Sequence, residues 1–381
     1  MKNLPKMILV ICGLIASSLS LAQPDSRPNI LLIVADDLGY ADLGSFGSKI
    51  RTPNLDQLAA QGTIFTNFHT SPLCAPTRAM LLSGNNNHVA GLGRMGGSPN
   101  PIVQVNLPGY ESHLSDRIAP MPRLLAEVGY QTYLAGKWHL GNEPENSPTA
   151  AGFQRVYSLL HGAGAHFSAT GLREGGSQYW RDGAPASFPD GAYTTELFTD
   201  ELMGFISDGK DNDRPFFAMA AYTTPHWPLQ VPEEYLDLYA GEFDQGYDQL
   251  RIDNLEALKG ANIISPDHAL PPRNDAVTPW EQLSDAEKRK EARKMELYAA
   301  MVENLDFHVG RLLDHLRDEN LYENTLIVFM SDNGTANEDF YYAGPYKDYV
   351  SSNYSDAYED MGKPGSWISY GRQGFVGTPT V

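Results

Sequence analysis

The 381-residue sequence is short of cysteine, of positive charge and of long apolar runs. It holds two cysteines, Cys12 and Cys74. Cys12 falls in an N-terminal segment with the marks of a secretory leader. Lys2 and Lys6 give a basic start, Met7–Leu19 is mostly apolar, and Ser20-Leu21-Ala22 offers a small-x-small cleavage site. The apolar run is shorter than the ~20 residues a bilayer span needs, and Ile11 before Cys12 does not suit lipoprotein cleavage. Loss of residues 1–22 would leave Cys74 as a lone thiol, which excludes an intramolecular disulfide. No other segment is long and apolar enough to span a membrane, so the expectation is an exported protein, periplasmic or secreted, without stable membrane insertion.

Positive charge is scarce: 28 Lys and Arg stand against 47 Asp and Glu. The leader takes Lys2 and Lys6 and no acid, so 28 less two leaves 26 basic residues. Such a chain is a poor partner for nucleic acid, whose binding rests on clustered cations. An anionic small-molecule substrate would need local cations, a metal ion, or both. Repeats at a solenoid period are lacking too, and the composition is that of a globular protein with a sizeable core.

What is present alternates strand and helix. Asn29–Ala35 is a continuous apolar run, as expected of a strand buried on both faces of a parallel sheet. Thr52–Gln61 and Pro120–Glu127 read as helices, each stopped by a glycine. Gln131–Ala135, Phe216–Tyr222 and Thr325–Ser331 read as further strands. Ser284 opens the longest helix with Glu287 completing a capping box, and Met301, Leu305, Val309, Leu312 and Leu316 form its core stripe. Arg181–Gly191 and Gly260–Thr278 read as surface loops or lids. The predicted fold is α/β, a mixed, mostly parallel sheet flanked by helices on both faces.

Polar clusters follow four of the strands: Asp36-Asp37, then Lys137 and His139, then His226, then Asp332-Asn333. Ligands of open α/β sheets bind beyond the carboxyl ends of the strands, so these clusters are expected to converge. Taken singly, Asp36-Asp37 would suit a helix cap and Asp332-Asn333-Gly334 a turn. Together they form an all-oxygen set suited to Ca²⁺ or Mg²⁺ rather than zinc. Cys74 stands at the predicted start of a helix whose first turn holds Pro76, where free N–H groups and the dipole favour an anion. Arg78, one turn on, is suited to bidentate contact with a tetrahedral oxyanion. His308 and His315 lie on the long helix, where packing or solvent accounts for them. No spacing argument assigns His69, His113, His161 or His166, although they could line a pocket.

Cys74-Ala75-Pro76-Thr77-Arg78 resembles the Cys-x-Pro-x-Arg core of the formylglycine-dependent sulfatases. Pro28–Tyr40, Gly136-Lys137-Trp138-His139-Leu140-Gly141 and Ser331-Asp332-Asn333-Gly334 resemble the same family in its order. Asn87–Gly91 and Leu107–Tyr110 are similar to its bacterial arylsulfatase branch. The resemblance implies an alkaline phosphatase-like fold and hydrolysis of small-molecule or saccharide sulfate esters. It further implies that a formylglycine-generating maturation enzyme oxidises Cys74 to Cα-formylglycine. The hydrated aldehyde attacks sulfur through one hydroxyl and expels sulfate on deprotonation of the other, a release that serine or thiol could not make. By the same resemblance Asp36, Asp37, Asp332 and Asn333 bind Ca²⁺ together with an oxygen of modified Cys74. Arg78 and His139 join Cys74 in catalysis, and Lys137 and His226 bind the sulfate. A phosphonate monoester or phosphodiester hydrolase using the same modified cysteine is the alternative.

One departure bears on organisation. The family carries a further sulfate-binding lysine beyond the Asp-Asn pair and then a smaller C-terminal subdomain. Lys347 and Lys363 stand in no matching motif. The expectation is a catalytic domain over 23–381 that is incomplete at its C-terminus, or else a short protein lacking one cation and acting as a sulfated-ligand binder.

Overall fold

The computed structural model describes residues 27–95, 107–210, 214–336 and 338–371. The leader read over residues 1–22, Cys12 included, lies outside them. In chain order the elements are β1 (Asn29–Ala35), α1 (Pro53–Gln61), α2 (Cys74–Ser83), α3 (Met121–Glu127), β2 (Gln131–Lys137), β3 (Arg155–Leu159), β4 (Tyr179–Arg181), β5 (Ala184–Ala186), α4 (Thr194–Gly209), β6 (Phe216–Ala221), α5 (Tyr247–Gly260), α6 (Asp285–Asp318), β7 (Thr325–Ser331) and α7 (Lys347–Asn353). Short 3₁₀ turns link several of them.

The strands form one sheet in the order β5-β4-β3-β2-β6-β1-β7. From β3 to β7 every pairing is parallel, with Leu31 opposite both Ala218 and Ile327. The mixed, mostly parallel sheet read from the sequence is therefore the one observed. The alternation of each strand splits the core in two. Leu31, Ile33 and Ala35 of β1 join Ala218 and Ala220 of β6 under α4 and α6, whereas Leu32, Val34, Phe217 and Met219 face Ala75, Ala79 and Leu82 of α2. Burial on both faces is why β1 reads as an unbroken apolar run. In α6 the Ser284–Glu287 capping box is formed, and Met301, Leu305, Val309, Leu312 and Leu316 are fully buried.

Three readings need correction. Lys137 does not follow its strand but ends it, because β2 runs two residues past Ala135 and pairs Lys137 with Leu159. Arg181–Gly191 is not wholly a loop: Arg181 and Ala184–Ala186 belong to an antiparallel hairpin at the sheet's outer edge, where Pro185 is tolerated. The strand–helix–strand alternation also lapses between β2 and β3, whose connection carries only a 3₁₀ turn, Pro144–Asn146.

Neighbouring strands in the order β2-β6-β1-β7 are parallel, so their carboxyl ends lie along one edge. Gly136 sits there at φ 122° in close approach to β6, and an added Cβ would overlap the Ala221 carbonyl oxygen. Gly136→Ala is expected to destabilise the fold by about 3 kcal/mol through strain and overpacking. Gly204→Ala in α4, where an added Cβ meets nothing within 4 Å, is expected to stabilise by about 0.5–1 kcal/mol. Urea denaturation of the two variants reads both signs.

Candidate active site

The four polar clusters meet at that edge. Backbone bonds fix the exits of three strands: Asp36 N–H donates to Thr224 O (3.1 Å) and Asp332 N–H to Ala35 O (3.1 Å). Asp37 leaves β1 at φ 66°, and its N–H donates to Asp332 Oδ1 at 3.2 Å. His139 likewise holds a left-handed conformation, φ 59°, two residues beyond β2. Non-glycine residues at such angles carry strain, and both occur where the chain turns its polar groups towards the cluster.

Cys74 is the first residue of α2, with Leu73 as N-cap, and its thiol donates to Asp37 Oδ1 at 3.6 Å. Arg78, one turn on and 1% exposed, donates from Nε to Asp332 Oδ2 (2.8 Å) and from Nη1 to Lys137 O (3.0 Å). Lys137 Nζ grips both oxygens of Asp36, at 2.9 and 2.7 Å. Asn333 Nδ2 donates to Asp37 Oδ1. His226 Nδ1 meets its neighbour's carbonyl, Trp227 O, at 2.6 Å, which leaves Nε2 facing Asp37 Oδ2 at 3.5 Å. One oxygen, sulfur or nitrogen atom from each of Asp36, Asp37, Cys74 and His226 lies within 4.8 Å of the others.

The electrostatics are unbalanced. Three buried carboxyls face two fixed cations, Lys137 and Arg78. Burial pushes Asp36 up, but Lys137, His226 and Arg78 together outweigh it and hold Asp36 well below the usual carboxylate range. Asp37 and Asp332 are pushed up to about 7, first by burial and then by the charge on Asp36. Burial also raises the Cys74 thiol well above its ordinary value, so an unmodified Cys74 would be a poor thiolate nucleophile. His139 is held far below the usual imidazole value by burial and then by Lys137 and Arg78.

Three buried polar atoms here have no hydrogen-bond partner: Asn333 Oδ1, Arg78 Nη2 and His139 Nδ1. An orphaned amide oxygen beside two carboxyls short of positive charge fits a hard divalent cation held by oxygens. An orphaned guanidinium nitrogen fits an incoming anion. The site thus gathers Asp36, Asp37, Cys74, Arg78, Lys137, His226, Asp332 and Asn333, with His139 beside them.

Sequence reasoning missed two neighbours, Tyr370 and Gly162, and gave His166 a possible place in a pocket but no role. Tyr370 donates its single proton between Pro225 O (2.9 Å) and Asp37 Oδ2 (3.3 Å). Gly162, just beyond β3, leaves room for the His139 imidazole, which an added Cβ would overlap. His166 touches His226 O at 3.0 Å. No local spacing signals these contacts, because Gly162 and His166 reach the site from the β3–β4 connection and Tyr370 from the segment after α7.

The family described as Sulfatase matches this chain over residues 28–362. An uncharacterized sulfatase of Schizosaccharomyces pombe is 42% identical over 321 residues, covering 81% of this chain and 58% of that protein. An arylsulfatase of Klebsiella aerogenes is 36% identical over 375 residues, covering 97% of this chain and 79% of that protein. Among solved structures, Ps i-CgsB in complex with k-i-k-neocarrahexaose is similar at 29% identity and a TM-score of 0.60, over 81% of this chain and 59% of that one. A phosphonate monoester hydrolase of Agrobacterium radiobacter, 21% identical with a TM-score of 0.53 over 81% of this chain and 63% of that one, shares the fold alone.

The raised carboxyls set a pH dependence. A carboxyl whose folded pKa exceeds its unfolded value gives stability that is present below the unfolded value and lost as pH rises through the folded one. Chelator-treated protein is therefore expected to lose thermal stability as pH rises from 3.8 to about 7. Added Ca²⁺ is expected to restore it. A melting temperature that ignores both chelator and Ca²⁺ across that window would remove the cation from the site.

Proposed function

Because the chain belongs to the sulfatase family, we propose that it hydrolyses sulfate esters, aryl sulfates among them, to an alcohol or phenol and inorganic sulfate. The observation that carries the reading is the placement of Cys74 at the start of α2, against Asp37 and between the Lys137–Asp36 and Arg78–Asp332 pairs. Formylglycine at position 74, made from Cys74 by a maturation enzyme, would supply the nucleophilic hydroxyl and an aldehyde able to release sulfate. Asp36, Asp37, Asp332 and Asn333 would hold Ca²⁺, which would supply positive charge against the sulfate oxygens.

The protein's own groups divide the remaining work. Arg78 keeps Nη2 free of hydrogen bonds, 3.8 Å from Asp36 Oδ1, and so has a donor for the developing negative charge. Lys137 spends two of its three N–H donors on Asp36, and the third is free to bind a sulfate oxygen. His139, held neutral by burial and by the neighbouring cations, has a basic nitrogen with which to take a proton. His226 has Nδ1 held by Trp227 O, so Nε2 is the ring atom it presents towards the sulfate and the departing oxygen. An exported location suits the leader. Among the described residues no helix is long and apolar enough to cross a membrane. Saccharide sulfates fall within the same reading.

Cys74→Ala is expected to cut aryl sulfate hydrolysis by at least about a thousandfold while leaving the cooperative unfolding transition in place. Parallel turnover of an aryl sulfate and an aryl phosphonate tests the substrate class. Preference for the phosphonate, or wild-type turnover by Cys74→Ala, would overturn the proposal.

A further inference from the structure

His166 is a buried titratable residue, 1% exposed, to which the reaction above gives no part. Every polar atom it owns is engaged. Its N–H donates to Gln230 Oε1 (2.9 Å), and its carbonyl accepts from Thr194 N–H (2.9 Å). In the ring, Nε2 lies 3.0 Å from the His226 carbonyl oxygen and Nδ1 lies 2.6 Å from Thr194 Oγ1. A carbonyl only accepts, so Nε2 carries the proton. Nδ1 must then accept, and Thr194 donates to it. Thr223 Oγ1 donates in turn to Thr194 Oγ1 at 3.3 Å. The hydrogen-bond directions follow from the chemistry of the two ends. Burial pushes the His166 pKa down to about 4, which keeps the ring in this neutral form.

The segment after β6 explains why such a device is needed. Thr223–Val231 leaves the sheet without entering a helix or strand, so its buried backbone groups require partners from elsewhere. Pro225 O accepts from the Tyr370 hydroxyl, Leu229 N–H donates to Ile368 O, and His226 O accepts from His166 Nε2. The first turn of α4 holds the segment's threonine side chains through Thr194 and also Thr195, whose Oγ1 lies 2.6 Å from Thr224 Oγ1. Gln230 joins His166 to the 366–368 segment, donating to Ser366 O at 2.8 Å. Between these anchors lies His226, whose Nε2 is the atom facing Asp37.

We propose that His166 is a positioning residue for His226: its Nε2–H holds the His226 carbonyl, and through it the backbone from which the His226 ring reaches the Asp37 side of the cluster. The inference rests on the proposed sulfatase reading for its kinetic consequence but not for its geometry. Its parts are separable. Thr194 sets the tautomer of His166, His166 sets the carbonyl of His226, and Trp227 O sets which nitrogen of His226 is presented.

Two-bond ¹H–¹⁵N spectra of the full chain test the first part. His166 is expected as the neutral Nε2–H tautomer at neutral pH, and His226 as a ring protonated at Nδ1. A His166 ring protonated at Nδ1, or one titrating like a free imidazole, overturns the proposal. Kinetics test the second. His166→Ala is expected to lower kcat/KM for an aryl sulfate roughly 10–100-fold and to weaken inhibition by inorganic sulfate. His166→Gln, which keeps an N–H donor where imidazole has Nε2, is expected to recover most of that loss. A purely structural role would lower the melting temperature of both variants alike and leave kcat/KM and the sulfate inhibition constant unmoved. If the wild type shows no sulfatase turnover, the proposed function fails, and the ¹⁵N shifts of His226 in His166→Ala still decide the inference. Shifts that move with the lost anchor uphold it, and unchanged shifts overturn it.

Discussion

The structure depends on one arrangement, the burial of Asp36 between Lys137 and Arg78 at the end of the parallel strands. A carboxylate removed from water is costly unless it is paired and hydrogen-bonded. Lys137 meets that cost at 2.7 Å, and the pairing fixes everything around it. It requires the carboxyl end of β2 to lie level with that of β1, two strands away, with β6 between them. It also leaves Arg78 as the only described cation bonded to Asp332, and leaves Asp37 without one of its own beyond the ring of His226. The charge deficit that suits the site to a divalent cation is thus a consequence of how the first carboxylate is satisfied.

Unsatisfied groups show where the chemistry lies. Elsewhere among the described residues the orphaned polar atoms are scattered through the fold: the indole N–H groups of Trp180, Trp227 and Trp367, Nε of Arg94 and Arg273, the hydroxyls of Thr149 and Tyr179, and Oδ1 of Asn304. At the strand ends they are an amide oxygen, a guanidinium nitrogen and an imidazole nitrogen within one cluster. Such groups are tolerated in a folded interior when a ligand completes them. The strained conformations of Asp37 and His139 fall in the same place, as expected where sheet geometry must yield to a site.

Much of this was legible in the sequence, for physical reasons that differ by element. β1 and β7 carry the bounds read from their apolar runs. β1 is buried on both faces, and in β7 the run itself is unbroken although Leu326 and Val328 stand exposed. The Ser284 capping box was legible because capping is local. The strand membership of Lys137 was not, since a buried lysine in a strand is explained only by Asp36, 101 residues away in the chain. Helix α4 and the β4–β5 hairpin carry mixed patterns that tertiary contacts decide. Of the site, the acids, Cys74, Arg78, Lys137 and the histidines after strands could be found from their position. Tyr370, Gly162 and His166 could not, because each is defined by what it touches across the fold.

The account stands or falls on the chemical state of residue 74. Its most direct test is the mass of the Cys74 peptide from protein made together with a formylglycine-generating enzyme, set beside the aryl sulfate turnover of the same sample. The expected result is an aldehyde mass in place of the thiol, in a fraction that tracks activity from one preparation to the next. Full turnover by protein whose Cys74 peptide carries only the thiol would contradict the account.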